Sequence, residues 1–465
     1  MYGSDASQQS NISRLSLLSS WECHNLGVPE NAAELARNIV RKLRSRGFET
    51  WLVGGCVRDL LLGISPKDYD VATNATPAEV LAIWPGSQRV GAQFGVVLVQ
   101  EAGIHVEVAT FRSESEYRDG RHPSHVEFET DARQDVLRRD FTINALLLDP
   151  DSGEVVDYVG GQEDLKSRTI RAIGIPEARF REDHLRMLRA VRFAARLGFD
   201  IHPDTEAAIV RLYPLVKDVS AERIRDEIVL ILTHGSARRG MELLNTTRLL
   251  HAILPEVEAM QGVEQPPEFH PEGDVWTHTL LMLEQLPADA SPALAMGVLL
   301  HDVGKPGTFR IAERIRFDGH VELGVKIARE ILTRLRFSNE DIRQIEALIE
   351  NHMRFKDAPQ MKDSTLKRFL RLDSFDEHLE LHRLDCVSSH GHLDNYDYVA
   401  ARREALGQEQ IKPPRLITGH DLLAAGFRPG PELGRVLNIV EDAQLEGRIS
   451  SKEEALELAH SLRET

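Results

Sequence analysis

Asp68 and Asp70 stand two residues apart in KDYDVAT. On an extended chain, positions i and i+2 face the same side, so the two carboxylates converge. Like charges held together call for a cation, and hard oxygen donors suit Mg²⁺. A third acid on a neighbouring strand would complete a two-metal site, and Glu107 in HVEVATF is the candidate. Two such ions roughly 3.5–4 Å apart can activate an attacking hydroxyl and stabilise a leaving pyrophosphate. Upstream, Gly54-Gly55 precede the short segment VRDLLLG. Glycines let backbone amides approach an anion, and a helix start adds its positive end. Arg58 lies on that first turn, where a guanidinium can clamp a phosphate. The run lacks the GxxxxGK[ST] of a Walker loop, and a bare glycine pair also serves as a plain turn. The adjacent aspartates are what point to phosphate chemistry.

Two further charged clusters suit a nucleotide. In RRDFTINAL (138–146) two arginines precede Asp140. Arg139 can meet a phosphate, and an aspartate accepts from a ribose 2′-OH, which DNA precursors lack. In EDHLR (182–186) helical spacing predicts Asp183 and Arg186 on one face, with Glu182 four residues from Arg186. Such a fork can read bases. The carboxylate accepts from the exocyclic amino group of cytosine or adenine, while the guanidinium donates to the ring nitrogen and, on cytosine, to the carbonyl. Uracil and guanine put a carbonyl where the amino group should be, a buried mismatch that costs a few kcal/mol. For an isolated EDxxR the alternative is an ordinary surface ion pair. SESEYRDGRHPSHV (113–126) is charged, contains Gly and Pro and lacks a core pattern, so it reads as a mobile loop.

These groups need rigid supports. NAAELARNIVRKLRSRGF (31–48) is an amphipathic helix, ETWLVGG a strand entering a turn, KDYDVAT a strand, and TPAEVLAIW a helix opened by a capping box. FGVVLVQ and HVEVATF alternate like paired strands, and FTINALLLD and EVVDYVG follow around a DSG turn. Beyond about residue 165 the periodicity is almost wholly helical. The proline-rich QGVEQPPEFHPEGD (261–274) reads as a linker, and a Pro-Pro pair at 413–414 introduces a last helical segment. At 465 residues the chain exceeds the roughly 100–200 of one domain. Its net charge of −17 argues against a wholly basic surface, yet nine Lys/Arg against three Asp/Glu fall within 165–199. Three scattered cysteines fit a reducing compartment, and no apolar run approaches the ~20 residues of a membrane span. The serine-rich residues 1–30 lack the basic start and apolar core of a signal peptide. They are expected to be a poorly ordered leader on a cytoplasmic protein.

GGCVRDLLLG, DYDVATNAT, VEVATFR (106–112), RRDFTINAL and RFREDHLRMLRAVRFAARLGF (179–199) follow one another in order. In these motifs the chain resembles the class II CCA-adding enzyme and bacterial poly(A) polymerase family of nucleotidyltransferases, most strongly over residues 50–235. The resemblance implies that Asp68 and Asp70 are the catalytic aspartates that hold two Mg²⁺, and Glu107 is the candidate third catalytic acid beside them. It implies that Gly54, Gly55, Arg58, Arg139, Asp140, Asn144, Glu182, Asp183, Arg186 and Arg189 bind nucleotide. Further on, GDVWTHT, VLLHDVGKP, FDGH, NHMRF and LHRLDCVSSHG are similar to the metal site of the HD superfamily. That similarity implies His278, His301, Asp302 and Asp385 as ligands of one metal, with His320 and His352 serving a second. Mn, Ni, Fe, Zn or Mg would suit these donors and could support phosphatase or phosphodiesterase chemistry; a relic that only staples helices is the alternative. ITGHDLLAAGFRPGPELG resembles the closing segment of longer class II enzymes.

The expected fold is an α/β head with a mixed β-sheet (31–165), an all-α neck (166–260), a helical HD domain (261–410) and a helical tail (411–465). The expected function is template-independent addition of CCA, or its terminal A, to the tRNA 3′ end from CTP and ATP. VGAQFGVVLV (90–99) resembles the CCA-adding pattern more than that of poly(A) polymerases, and the tail is not strongly basic. Poly(A) addition to RNA ends is the nearer alternative. An HD phosphohydrolase with an N-terminal nucleotide- or RNA-binding module is the rival from another class.

Overall fold

Short runs of Val, Leu and Ile between Thr50 and Val156 assemble into one mixed sheet. The computed structural model describes residues 31–90, 95–117 and 123–462; the expected leader and residues 91–94 of VGAQFGVVLV lie outside them. The chain forms two compact units, the first comprising residues up to Ile231 with Arg239–Ile253, the second Leu232–Arg238 with everything from Leu254 onward.

In the first unit the strands are β1 (Thr50–Val53), β2 (Asp70–Thr73), β3 (Gln88–Val90), β4 (Val96–Glu101), β5 (Ile104–Thr110), β6 (Arg112–Tyr117), β7 (Pro123–Phe128), β8 (Leu147–Leu148) and β9 (Val155–Val156). Seven of them form the sheet in the order β3-β4-β5-β2-β1-β8-β9. Only β2 and β5 run parallel; the other neighbours are antiparallel. Helix Ala32–Arg44 starts where the Asn31 side chain accepts the Glu34 N–H at 3.0 Å. It buries Leu35, Ala36, Ile39, Val40 and Leu43 against β1, β2 and β5. Elsewhere in this unit Val53, Ala72, Phe111, Val136, Ala145, Leu147 and Ile173 pack as one core.

Three local expectations change. β2 begins only at Asp70, so Asp68 lies in the bend that leads into it. Within FTINALLLD, residues Thr142–Asn144 form a 3₁₀ turn before β8. Asp140 Oδ1 accepts from the Phe141 N–H at 2.8 Å and from Asn144 Nδ2 at 3.2 Å, a local bonding pattern that competes with a strand ladder. The segment expected as a loop at 113–126 instead pairs as the β6–β7 hairpin around the undescribed 118–122. A two-stranded ribbon need not bury a face, so it leaves no apolar alternation to read.

Helices Pro176–Glu182, Arg186–Leu197, Pro203–Leu212 and Ala221–Thr233 follow, with a two-residue parallel strand pair, Thr169–Ile170 with Asp200–Ile201, among them. The second unit is almost entirely helical. Helix Pro292–Leu300, buried all round, forms its middle, and helices Val275–Glu284, Asn339–Asn351 and Phe375–Val387 pack on it or beside it. Its last helices, Gly419–Ala424, Pro431–Leu445 and Lys452–Ser461, share a small core of their own. Among the described residues no helix is long and apolar enough to cross a membrane, and Cys56 and Cys386 are free and buried.

Candidate active site

The sheet register fixes the acidic corner. Parallel pairing of β2 with β5 sets Asp70 opposite Glu107, and antiparallel pairing with β1 sets Val53 opposite Asp70. Gly54 therefore turns beside the Asp70 carboxylate. Its φ is +77°, and a Cβ there would stand 3.3 Å from Asp70 Oδ2 and 3.5 Å from Arg139 Nη1. Glycine is required both for the backbone angle and for the space. Burial, then the charges of Glu107 and Asp68, push the Asp70 carboxyl up to about 6, against the pull of Arg139. A carboxylate pressed by two other anions fits a divalent cation. As a trio Asp68, Asp70 and Glu107 are spread more widely than the donor sets of the second unit, whose atoms lie within 4.8 Å of one another.

Around this corner the basic and polar residues lock together. Asp135, on helix Ala132–Leu137, accepts from Arg138 Nη2 at 2.5 Å and Arg139 Nη2 at 2.9 Å. Arg139 thereby reaches the Gly54 turn. Asp140 accepts from Arg189 Nη2 at 2.7 Å, and although burial works to raise its pKa, Arg189 and Asn144 hold it below the usual carboxylate range. Asn144 is buried; its Oδ1 accepts from Arg58 Nη1 at 2.7 Å while its Nδ2 donates to Asp140. Arg58 differs from the expected phosphate clamp: it is 3% exposed and ion-paired with Asp59. In this arrangement it anchors Asn144 from within the core.

The EDHLR segment also differs in its backbone. Helix Pro176–Glu182 ends at Glu182, Asp183 is extended (φ −140°, ψ 107°), and a new helix starts at Arg186. Asp183 and Arg186 thus flank a break rather than share a helical face. Asp183 Oδ1 accepts the Leu185 N–H at 3.1 Å, which stabilises the break. Glu182 pairs with Arg186 at 2.7 Å as the spacing predicted, and Asp183 pairs with Arg223 at 3.0 Å. Arg58, Arg189 and Arg192 all lie over the ring of Phe193.

In the second unit all six expected ligands meet. His278 Nε2 is 3.2 Å from Asp385, His301 Nε2 is 3.1 Å from Asp302, and Nε2 of His320 and His352 lie 3.8 and 4.0 Å from Asp302 Oδ1. His301, His320 and His352 each donate Nδ1–H to a carbonyl three residues back, at 2.8, 2.8 and 2.6 Å. All three therefore aim Nε2 inward. Nε2 of His301, His320 and His352 and Oδ1 of Asp302 are buried without a hydrogen bond of good geometry. Unmet polarity of this kind costs about 1–3 kcal/mol per group, so mixed imidazole–carboxylate donors here fit Mn, Ni, Fe, Zn or Mg. Gly304 makes the meeting possible, since a Cβ there would fall 2.1 Å from the His320 carbonyl. A cavity of about 830 Å³ opens onto the cluster, bordered by Arg314, Arg316, Lys356 and Phe317.

Burial works to lower the His278 pKa, but Asp385 and Glu272 outweigh it and hold it up at about 9. Burial together with nearby His301 holds His352 down at about 4. Sequence reasoning passed over Glu272 and His270. Glu272 Oε1 lies 2.8 Å from Nδ1 of both His270 and His278, so the stretch read as a linker reaches into the cluster. The two-residue spacing in HPEGD was the available signal, masked by its prolines. Asp135 and Arg223 were passed over as well; the only hint was Asp135 standing four residues before Arg139.

Comparison with known proteins places this geometry. Residues 50–171 match the family described as "Poly A polymerase head domain", 198–261 match "Probable RNA and SrmB-binding site of polymerase A", and 320–459 match tRNA nucleotidyltransferase domain 2. A CCA-adding enzyme of Levilactobacillus brevis is 32% identical over 423 residues, 91% of this chain and 96% of that enzyme. One of Geobacillus stearothermophilus is 44% identical over 220 residues, 47% of this chain and about half (54%) of that enzyme's length. The crystal structure of the Bacillus stearothermophilus CCA-adding enzyme in complex with CTP superposes with a TM-score of 0.71 at 27% identity, covering 94% of this chain and 98% of that one. Residues 50–171 of the first unit are thus a nucleotidyltransferase head of the poly(A) polymerase type. The chain belongs to the CCA-adding enzyme family.

Proposed function

We propose that this chain adds CCA, or its terminal A, to the tRNA 3′ end from CTP and ATP, releasing pyrophosphate without a template. The observation that carries the reading is the Asp70–Glu107 register beside Gly54, with Asp68 two residues upstream. CCA-adding relatives along most of the chain support it. When bound, two Mg²⁺ ions at Asp68 and Asp70, with Glu107, would activate the tRNA 3′-hydroxyl and balance charge on the departing pyrophosphate. The Gly54 turn and Arg139 offer a place for the triphosphate, since that corner lacks a Cβ and carries a guanidinium. Asp140, kept anionic by Arg189, can accept from the ribose 2′-OH. Asp183 and Arg186 face the base, and accept cytosine and adenine by the amino-group logic set out above. We assign 31–165 to the catalytic head, 166–260 to the neck, 261–410 to an HD domain and 411–465 to the tail. A cytoplasmic setting agrees with the free cysteines.

The test offers tRNAs ending before CCA, after C and after CC, with each NTP alone. Full CCA addition extends the first two with CTP and the third with ATP, addition of the terminal A alone extends only the third with ATP, repeated adenylation would favour the poly(A) alternative, and no extension would remove the assignment. Gly54→Ala should cut addition by about 10–100-fold, since strain and a crowded Asp70 each act on the reacting corner; a rate near wild type would show that the turn does not shape it.

A second reading concerns the other unit. The inward-facing, unsatisfied Nε2 atoms and the adjoining cavity support an HD metal centre of phosphatase or phosphodiesterase type. His278, His301, Asp302 and Asp385 would hold one metal, His320 and His352 a second. Water activated on such a metal is the chemistry it would supply.

A further inference from the structure

Four histidines turn a nitrogen into the cluster of the second unit, but only three have a backbone carbonyl behind them. His301 and His352 cap the ends of helices Pro292–Leu300 and Asn339–Asn351, and His320 opens helix His320–Arg334. At a helix end carbonyls are free, and these rings set Nδ1 on the one three residues back. His278 instead stands inside helix Val275–Glu284. Three residues before it, the Val275 carbonyl serves the helix ladder and also accepts the Thr279 hydroxyl at 2.9 Å. With two lone pairs per carbonyl, nothing is left there for the ring.

Residues 261–274 supply what the helix lacks. The Glu272 carboxylate, 7% exposed, lies 2.8 Å from His278 Nδ1 and accepts from His270 Nδ1 at 2.8 Å. The His278 contact is a close ion pair set off the hydrogen-bond axis. The His270 ring packs edge-on against that of His278, 4.9 Å between centroids. With Nδ1 held on this side, Nε2 is turned to Asp385, 3.2 Å away. The same segment reaches a second expected ligand. Gln265, buried, accepts from Lys305 Nζ at 2.6 Å, and Lys305 donates to Asp302 Oδ2 at 2.6 Å. That engages Oδ2 and leaves Oδ1 facing His320 and His352. Both ends of the segment are tied to the helix that carries His278: the Gly262 N–H donates to Asp274 Oδ2 at 2.6 Å, and the Val275 N–H to the Val263 carbonyl at 3.0 Å. A spacer needs none of these buried contacts.

We propose that Glu272 and Gln265 are positioning residues of the metal centre, and that residues 261–274 form its outer wall. Glu272 sets the ring of His278 directly; Gln265 sets the carboxylate of Asp302 through Lys305. The inference rests on the reading of this cluster as a metal centre. Without Glu272 the His278 ring is free to turn away. Without Gln265 the Lys305 ammonium loses its second anchor and can draw Asp302 with it.

The experiment strips metal from the whole chain with a chelator and measures binding of Ni²⁺, Mn²⁺ and Zn²⁺ separately by equilibrium dialysis. It compares wild type, Glu272→Ala, Glu272→Gln, Gln265→Leu and His301→Ala, with a melting curve of each metal-free sample. Binding that His301→Ala lacks is the share of this centre, since the acidic corner of the first unit is present in every sample. Glu272→Ala and Gln265→Leu should each weaken that share by about 10–100-fold, the usual effect of removing a partner behind a metal ligand. Glu272→Gln keeps an acceptor oxygen and should lose less, and it keeps the test open if Glu272→Ala misfolds. Variants that melt lower yet bind metal as tightly as wild type would show that these residues only hold the fold, which overturns the proposal. A wild type that binds no more of any of the three ions than His301→Ala overturns the metal-centre reading instead.

Discussion

Asparagine in place of Asp70 is expected to abolish nucleotide addition yet raise the stability of the metal-free protein. The first effect follows if Asp70 holds catalytic metal, since losing several kcal/mol of transition-state stabilisation slows the reaction by about three orders of magnitude or more. Asp68→Ala should act in the same direction. The second effect follows from the raised carboxyl. With its folded pKa at about 6, above the ordinary carboxylate value, the fold favours the protonated form. The penalty for holding Asp70 ionised is therefore present above pH 6 and fades as pH falls through that value. The neutral amide of the Asp70→Asn variant escapes this penalty at every pH. The variant should melt higher than wild type at pH 8 without metal, by about 2–4 °C per kcal/mol recovered, and the gap should close towards pH 4–5. Rates with CTP and melting curves across that range check both. A variant that still extends tRNA, or a gap that widens in acid, would count against this account.

If the proposed centre of the second unit holds a metal, Asp302→Ala is expected to cost it that metal, and in any case much of its stability, while nucleotide addition continues. Asp302 is 2% exposed and touches His301, accepts Lys305 Nζ at 2.6 Å and faces Nε2 of His320 and His352. Its removal leaves the buried Lys305 ammonium without its carboxylate, a defect of about 3–5 kcal/mol. His301→Ala should lose metal with a smaller stability loss, because no buried charge is stranded. Metal analysis after dialysis, with addition assayed on the same samples, separates the two sites. Full metal retention in both variants would show that these residues do not form the centre.

Much of this was legible because it is local. Asp68-x-Asp70, the paired glycines and the Glu182–Arg186 spacing each act within a few residues, so their consequences could be read before any fold was known. The helical character after residue 165 was equally plain from periodicity. What escaped depends on long-range partners or on side chains that redirect the backbone. Asp183 leaves the helix because its own carboxylate takes the Leu185 N–H, and its other partner, Arg223, is forty residues away. Arg58 occupied a phosphate-clamp position in sequence but finds Asp59 and Asn144 within the core. Glu272 sits in a proline-rich stretch whose composition suggested a spacer, and only the fold returns it to His278.

The proton inventory of the histidine cluster has a consequence for how it charges. His320 and His352, held below the ordinary imidazole value chiefly by burial, carry their hydrogen on the outward nitrogen, tied to a carbonyl, so a cation can be received at their inward nitrogen with nothing displaced. His278 alone lies between two acids and is held as an imidazolium. Loading that end of the cluster means evicting a hydrogen ion, which makes acidity a competitor of the cation there and leaves the opposite end comparatively indifferent.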